Sequence, residues 1–147
     1  MSRPTHARLS ASGAVLYVRQ AGSGPVVLLL HGFPDSSELW RDVTPMLVAA
    51  GFRVIAPDLR GFGRSDAPAS VGDYALGHVV ADLRVLIGRL ANDAPVRVIG
   101  HDWGAVAGWC LALEHPQLVR SQVALSVGHP RQYAVAGLEQ KLKGLYT

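Results

Sequence analysis

Cysteine occurs once in this chain of 147 residues, at Cys110, so no internal disulfide can staple it. Cys110 lies among Ala and Leu, where a small buried filler is expected rather than a reactive thiol. Long apolar runs are also missing. Val26-Val27-Leu28-Leu29-Leu30 falls far short of the ~20 residues of a membrane span and suits a buried strand. Met1 to His6 lacks the apolar stretch of a secretory signal, which makes the cytoplasm the default expectation. The net charge of +3 is scattered over arginines from Arg3 to Arg131 and forms no basic patch interleaved with aromatics. Nucleic-acid binding needs such a patch, so neither a nucleic acid nor a membrane is expected as partner. His6, His78, His115 and His129 show no metal-ligand spacing, and neither a metal nor a cofactor is expected.

What remains is a composition 49% hydrophobic and 17% charged, as in one globular domain with a heavily buried interior. Alternation over Ala14–Arg19 suggests a partly exposed strand, and Ala21–Pro25 a turn into the Val26–Leu30 strand. Leu39, Val43, Met46, Leu47 and Ala50 have helical spacing, with Thr44-Pro45 as cap and first-turn proline and Gly51 at the end. Arg53–Ala56 reads as a short strand closed by Pro57, and Leu76 to Leu90 carries an apolar stripe of helical period. Val96–Ile99, a helix from Trp103 to Leu113 stopped by Pro116, and a strand near Val123–Val127 complete the alternation. The fold class is α/β, with a mostly parallel sheet covered by helices on both faces. Ligands in such sheets sit beyond the carboxyl ends of the strands. Three unusual segments fall there: His31-Gly32-Phe33-Pro34, Asp58 to Asp66, and Gly100-His101-Asp102-Trp103-Gly104.

The last of these puts Asp102 at the apex of a strand that turns directly into a helix. Such a corner strains the apical backbone and demands neighbours nearly without side chains, which Gly100 and Gly104 provide. A carboxylate there can attack carbon to form an ester. The plainer reading is a glycine-rich corner with a capping aspartate. Gly32 lets the Phe33 N–H turn toward the rim, and the Trp103 N–H would point into the same space. Two such donors would make an oxyanion hole, each worth about 2.7–4 kcal/mol of transition-state stabilisation. His31 is expected to order its loop by hydrogen bonding rather than to act as base. Asp58 to Asp66 reads as a structural turn held by Asp58 and Arg60, because Asp66 stands where a dinucleotide fingerprint has its third glycine.

His31-Gly32-Phe33-Pro34, Pro57-Asp58-Leu59-Arg60-Gly61-Phe62-Gly63-Arg64-Ser65-Asp66 and Gly100-His101-Asp102-Trp103-Gly104-Ala105 together resemble the α/β-hydrolase superfamily, and within it the cap-bearing epoxide hydrolases. The likeness runs from about Val15 to Pro130. It implies Asp102 as nucleophile, the Phe33 and Trp103 amides as oxyanion hole, an apolar epoxide as substrate, a diol as product and no cofactor or metal. His31, Gly32, Pro34, Gly100, His101 and Gly104 are implied to shape the site. Haloalkane dehalogenases share the Asp-Trp elbow and are the alternative, but they carry Asn where this chain has Phe33. By the same likeness, residues 1–130 form the amino-terminal part of the core and residues 131–147 open a cap domain. Tyr146 is then the candidate donor to the epoxide oxygen, beside the reading that it has no role.

Proteins of this kind are about twice as long, and their later half supplies further strands, an acidic residue and the histidine that activates water. The expectation is therefore an incomplete fragment, unable alone to complete turnover, that calls for a complementary carboxy-terminal half or a homo-oligomer. A non-catalytic remnant binding a small apolar ligand or a partner chain is the alternative from outside enzymology. The strand near Val123 is expected to be an open hydrophobic edge.

Overall fold

The structure, a computed structural model, describes residues 5–129 and Arg131. Pro130, at the expected boundary, and Tyr146 lie outside the described residues.

A sheet of six strands runs through the molecule: β1 (Thr5–Ser10), β2 (Val15–Ala21), β3 (Val26–Leu30), β4 (Arg53–Pro57), β5 (Val96–His101) and β6 (Val119–Leu125). Their spatial order is β1-β2-β4-β3-β5-β6, with β1/β2 and β2/β4 antiparallel and the remaining pairs parallel. Among the described residues, three α-helices accompany it: α1 (Val43–Ala49), α2 (Leu76–Ala91) and α3 (Trp103–Glu114).

β3 shows why its five residues are all apolar. Successive side chains point to opposite faces, and both faces are covered. Val27 and Leu29 pack with Trp40, Val54 and Ala56 under α1. Leu28 and Leu30 pack with Leu83, Leu86 and Ile87 of α2 and with Ala107 and Leu111 of α3. The small residues Gly104, Ala105, Ala107 and Gly108 of α3 are buried, which brings the helix close to the sheet.

Four expectations need correction. The strand beginning near Ala14 is more buried than its alternation suggests: Leu16, Tyr17 and Val18 are buried, and Val15 and Arg19 are half-buried. β1, which sequence reading did not foresee, pairs along the outer side of β2, and β2 thereby becomes interior. The helical stretch from Leu39 to Ala50 is broken into a 3₁₀ turn at Ser37–Trp40 and the short helix α1. Asp42, not Thr44, holds the cap position of α1, and Met46 is 71% exposed. Trp40 anchors that segment instead, at 4% exposure. The last strand begins at Val119 rather than near Val123. It does close the described sheet as an outer strand, with Val123 51% and Leu125 42% exposed.

Candidate active site

β5 passes into α3 through Asp102 alone, and that residue sits at φ 52° and ψ −124°. A non-glycine residue in this region is strained and is held there only by its surroundings. Here the Asp102 carbonyl accepts from the amides of Ala105 and Val106, starting the helix. Its own N–H donates to the Leu125 carbonyl at 3.1 Å. The flanking glycines are required by contact. A Cβ on Gly100 would stand 2.6 Å from the Cα of Ala105, and one on Gly104 would strike the carbonyl oxygens of Leu30 and His31.

The Asp102 side chain makes no capping bond to its helix, so the plainer reading of a capping aspartate fails. Its Oδ1 accepts instead from the Phe33 N–H at 3.0 Å. Gly32 makes room for this, since a Cβ there would run into the Asp102 side chain. The Trp103 N–H, at the first position of α3, is one of the amides that an α-helix leaves without an internal partner. Phe33 and Trp103 are both exposed, 66% and 59%. Phe62 meets Phe33 edge-on, with ring centroids 6.2 Å apart. The peptide between Phe33 and Pro34 is cis.

His31 is fully buried and orders the loop, as expected. Its Nε2 accepts the Leu59 N–H at 2.9 Å, which leaves the proton on Nδ1 to be donated to the Gly32 carbonyl, also at 2.9 Å. The segment from Asp58 onward braces the same loop a second time, because Asp58 Oδ1 accepts from Ser37 N–H at 2.7 Å. Asp58 Oδ2 takes the Arg64 N–H at 2.9 Å, and Gly63, at φ +56°, turns the chain around that carboxylate. The rings of His31 and Phe62 lie edge-on at 5.4 Å. The three motifs thus meet at one rim of the sheet.

Burial pushes the His31 pKa below its ordinary value of 6.5, against the Gly32 hydrogen bond and the charges of Asp58 and Asp35, which raise it. The unfolded chain therefore takes up this proton first as the pH drops. Stability from His31 is complete above about pH 6.5 and is lost on acidification through the lowered folded pKa. Urea unfolding at pH 7.5 and pH 5 is expected to show a drop in stability that His31→Asn reduces. An undiminished drop in the variant would assign it to other groups.

Other residues fall outside this cluster or were not foreseen. His101 ends β5 in register with Leu125, and its Nδ1 is buried without a hydrogen-bond partner. His129 packs edge-on against Trp109 at 4.6 Å, and its Nδ1 accepts the Arg131 N–H. Cys110 packs against the core, and burial raises its pKa, which suits the inert filler expected. Sequence reading missed Asp82. It pairs with Arg60 through two bonds of 2.7 Å, both side chains 2% exposed. Its position on the stripe of α2 hid it, because the helical period shows where a residue points and not what it meets. Arg60 also donates to the carbonyls of Asp73 and Ser12, tying the loop to two more segments.

An aspartate on a strained strand-to-helix corner, facing a backbone amide from the loop after β3, defines a class that sequence comparison bears out. The chain belongs to the α/β-hydrolase fold family, whose sequence model matches residues 25–145. Among curated proteins it is 44% identical over 133 residues to epoxide hydrolase 2 of Siraitia grosvenorii, covering 90% of this chain and 42% of that one. It is 43% identical over 119 residues to an epoxide hydrolase of Caballeronia sordidicola, covering 81% of this chain and 36% of that one. The crystal structure of an epoxide hydrolase from Vigna radiata superposes with a TM-score of 0.86 at 37% identity, covering 97% of this chain and 46% of the other. Potato epoxide hydrolase I gives 0.85 at 33%, covering 98% and 46%. The chain thus spans about half the length, or less, of these relatives. Among the described residues, no helix is long and apolar enough to cross a membrane.

Proposed function

We propose that this chain carries the nucleophile half of an epoxide-opening site, with Asp102 as nucleophile and the Phe33 and Trp103 amides as oxyanion hole. The observation that carries the reading is the Phe33 N–H bonded to Asp102 Oδ1 at 3.0 Å. It leaves Oδ2 for attack on an epoxide carbon. The ring C–O bond opens, the released alkoxide takes up a proton, and a hydroxyalkyl ester remains on Asp102. Water adding to the acyl carbon drives negative charge onto the oxygen held by Phe33, and collapse returns the carboxylate and a vicinal diol. The exposed rings of Phe33 and Trp103 favour an apolar, aryl-bearing substrate.

By the family likeness, Phe33 in place of Asn argues against halide chemistry. Exposure to styrene oxide is expected to add one substrate mass to Asp102, while 1-chlorobutane releases no stoichiometric chloride. Chloride release with no epoxide adduct would reassign the site to haloalkane cleavage.

A further inference from the structure

The opposite rim of the sheet, at the amino ends of β3, β5 and β6, holds a recess of about 430 Å³. Arg97 and Arg120 line it, with Pro25, Pro95 and small apolar side chains completing the wall and no carboxylate among the lining residues. No carboxylate among the described residues neutralises the two guanidiniums there. All four ion pairs among the described residues use other arginines, namely Arg8, Arg19, Arg41 and Arg60. Arg97 is half-buried, and its guanidinium lies 5.2 Å from the centre of the Phe52 ring. Neither Arg97 nor Arg120 donates a side-chain hydrogen bond to a described residue, although each carries five N–H donors.

Arg120 reaches this rim through an irregularity. Val96 pairs with Val119 but Arg97 pairs with Ser121, so Arg120 is an extra residue in a β-bulge. Bulges re-aim a side chain at the cost of ladder pairing. The adjoining carbonyls at the end of α2 do not satisfy these two cations. The Leu90 carbonyl is taken by Arg53 Nη1 at 2.7 Å and the Ala91 carbonyl by the Ala94 N–H at 3.0 Å.

We propose that Arg97 and Arg120 form a binding site for a small phosphate monoester, distinct from the Asp102 rim. Two guanidiniums with no lining carboxylate suit the charge of a phosphate dianion, and the apolar wall accommodates the organic group that a monoester adds to it. Calorimetric titration of the chain at constant ionic strength is the test, with inorganic phosphate and phenyl phosphate as probes. Saturable binding is expected with a dissociation constant on the order of 1 mM or below, tighter for phenyl phosphate. R97Q and R120Q should each weaken it about tenfold or more, the loss of one charge-assisted contact. R89Q, which removes a charge from an exposed residue of α2 that does not line the recess, should leave it unchanged. Should R97Q fail to fold, R120Q alone carries the test, because Arg120 is exposed at the bulge. The absence of saturable binding, or equal weakening by R89Q and R120Q, would overturn the proposal.

Discussion

Asp102→Ala is expected to abolish covalent capture of an epoxide. The native 147-residue chain, incubated with styrene oxide, should gain the mass of one substrate, and peptide mass spectrometry should find it on Asp102. The hydrogen-bonded aspartates Asp58, Asp82 and Asp66 are poor competitors. Asp58 and Asp82 are 2% and 1% exposed and have both oxygens engaged by hydrogen bonds. Asp66 accepts from Val15 N–H and Arg8. Removing a nucleophile of this kind typically costs on the order of 10⁶-fold in rate, which leaves only background. The adduct should also persist, because a general base contributes roughly 10²–10⁴-fold to release. Among the described histidines, His31 has both nitrogens engaged and His129 lies against Trp109. Multiple turnovers by the purified chain, lost in Asp102→Ala, would show that His101 or His129 serves as a base after all. An adduct on another carboxylate would sink the assignment of Asp102.

The second large effect is on stability. Asp82→Ala is expected to cost about 3–5 kcal/mol, the range for removing one partner of a buried ion pair. Its cause is the charge left behind more than the attraction lost. Arg60 is 3% exposed, and in the variant its guanidinium would keep only the carbonyls of Ser12 and Asp73. Asp82 Oδ1 also accepts the Ser12 N–H at 2.9 Å, so the turn between β1 and β2 loses its anchor in the same step. Urea unfolding measures the loss directly. Arg60→Met with Asp82→Leu, which removes both charges and keeps apolar volume, should recover much of it. A double variant as unstable as Asp82→Ala would show that the bonds to Ser12 and Asp73, rather than the stranded charge, dominate.

Much of the site was legible in the chain because its constraints are local. Gly100 and Gly104 flank Asp102 within a single strand-to-helix corner; the need for Gly100 is local, against Ala105, while that for Gly104 is closed only by the carbonyls of Leu30 and His31. The unbroken apolar run of Val26–Leu30 is also local and already implies a strand covered on both faces. Tertiary structure alone decided which partners these elements meet. No period in the sequence brings the Phe33 amide to Asp102, 69 residues away, or Asp82 to Arg60. β1 escaped notice because its pattern is mostly exposed and its value lies in covering β2. Likewise, the bulge that inserts Arg120 at the start of β6 exists only in the pairing of β5 with β6. Local backbone sterics and hydrophobic period act over a few residues and can be read in order. Hydrogen-bond partners and buried charge pairs depend on contacts closed over long loops, and only the folded chain selects them.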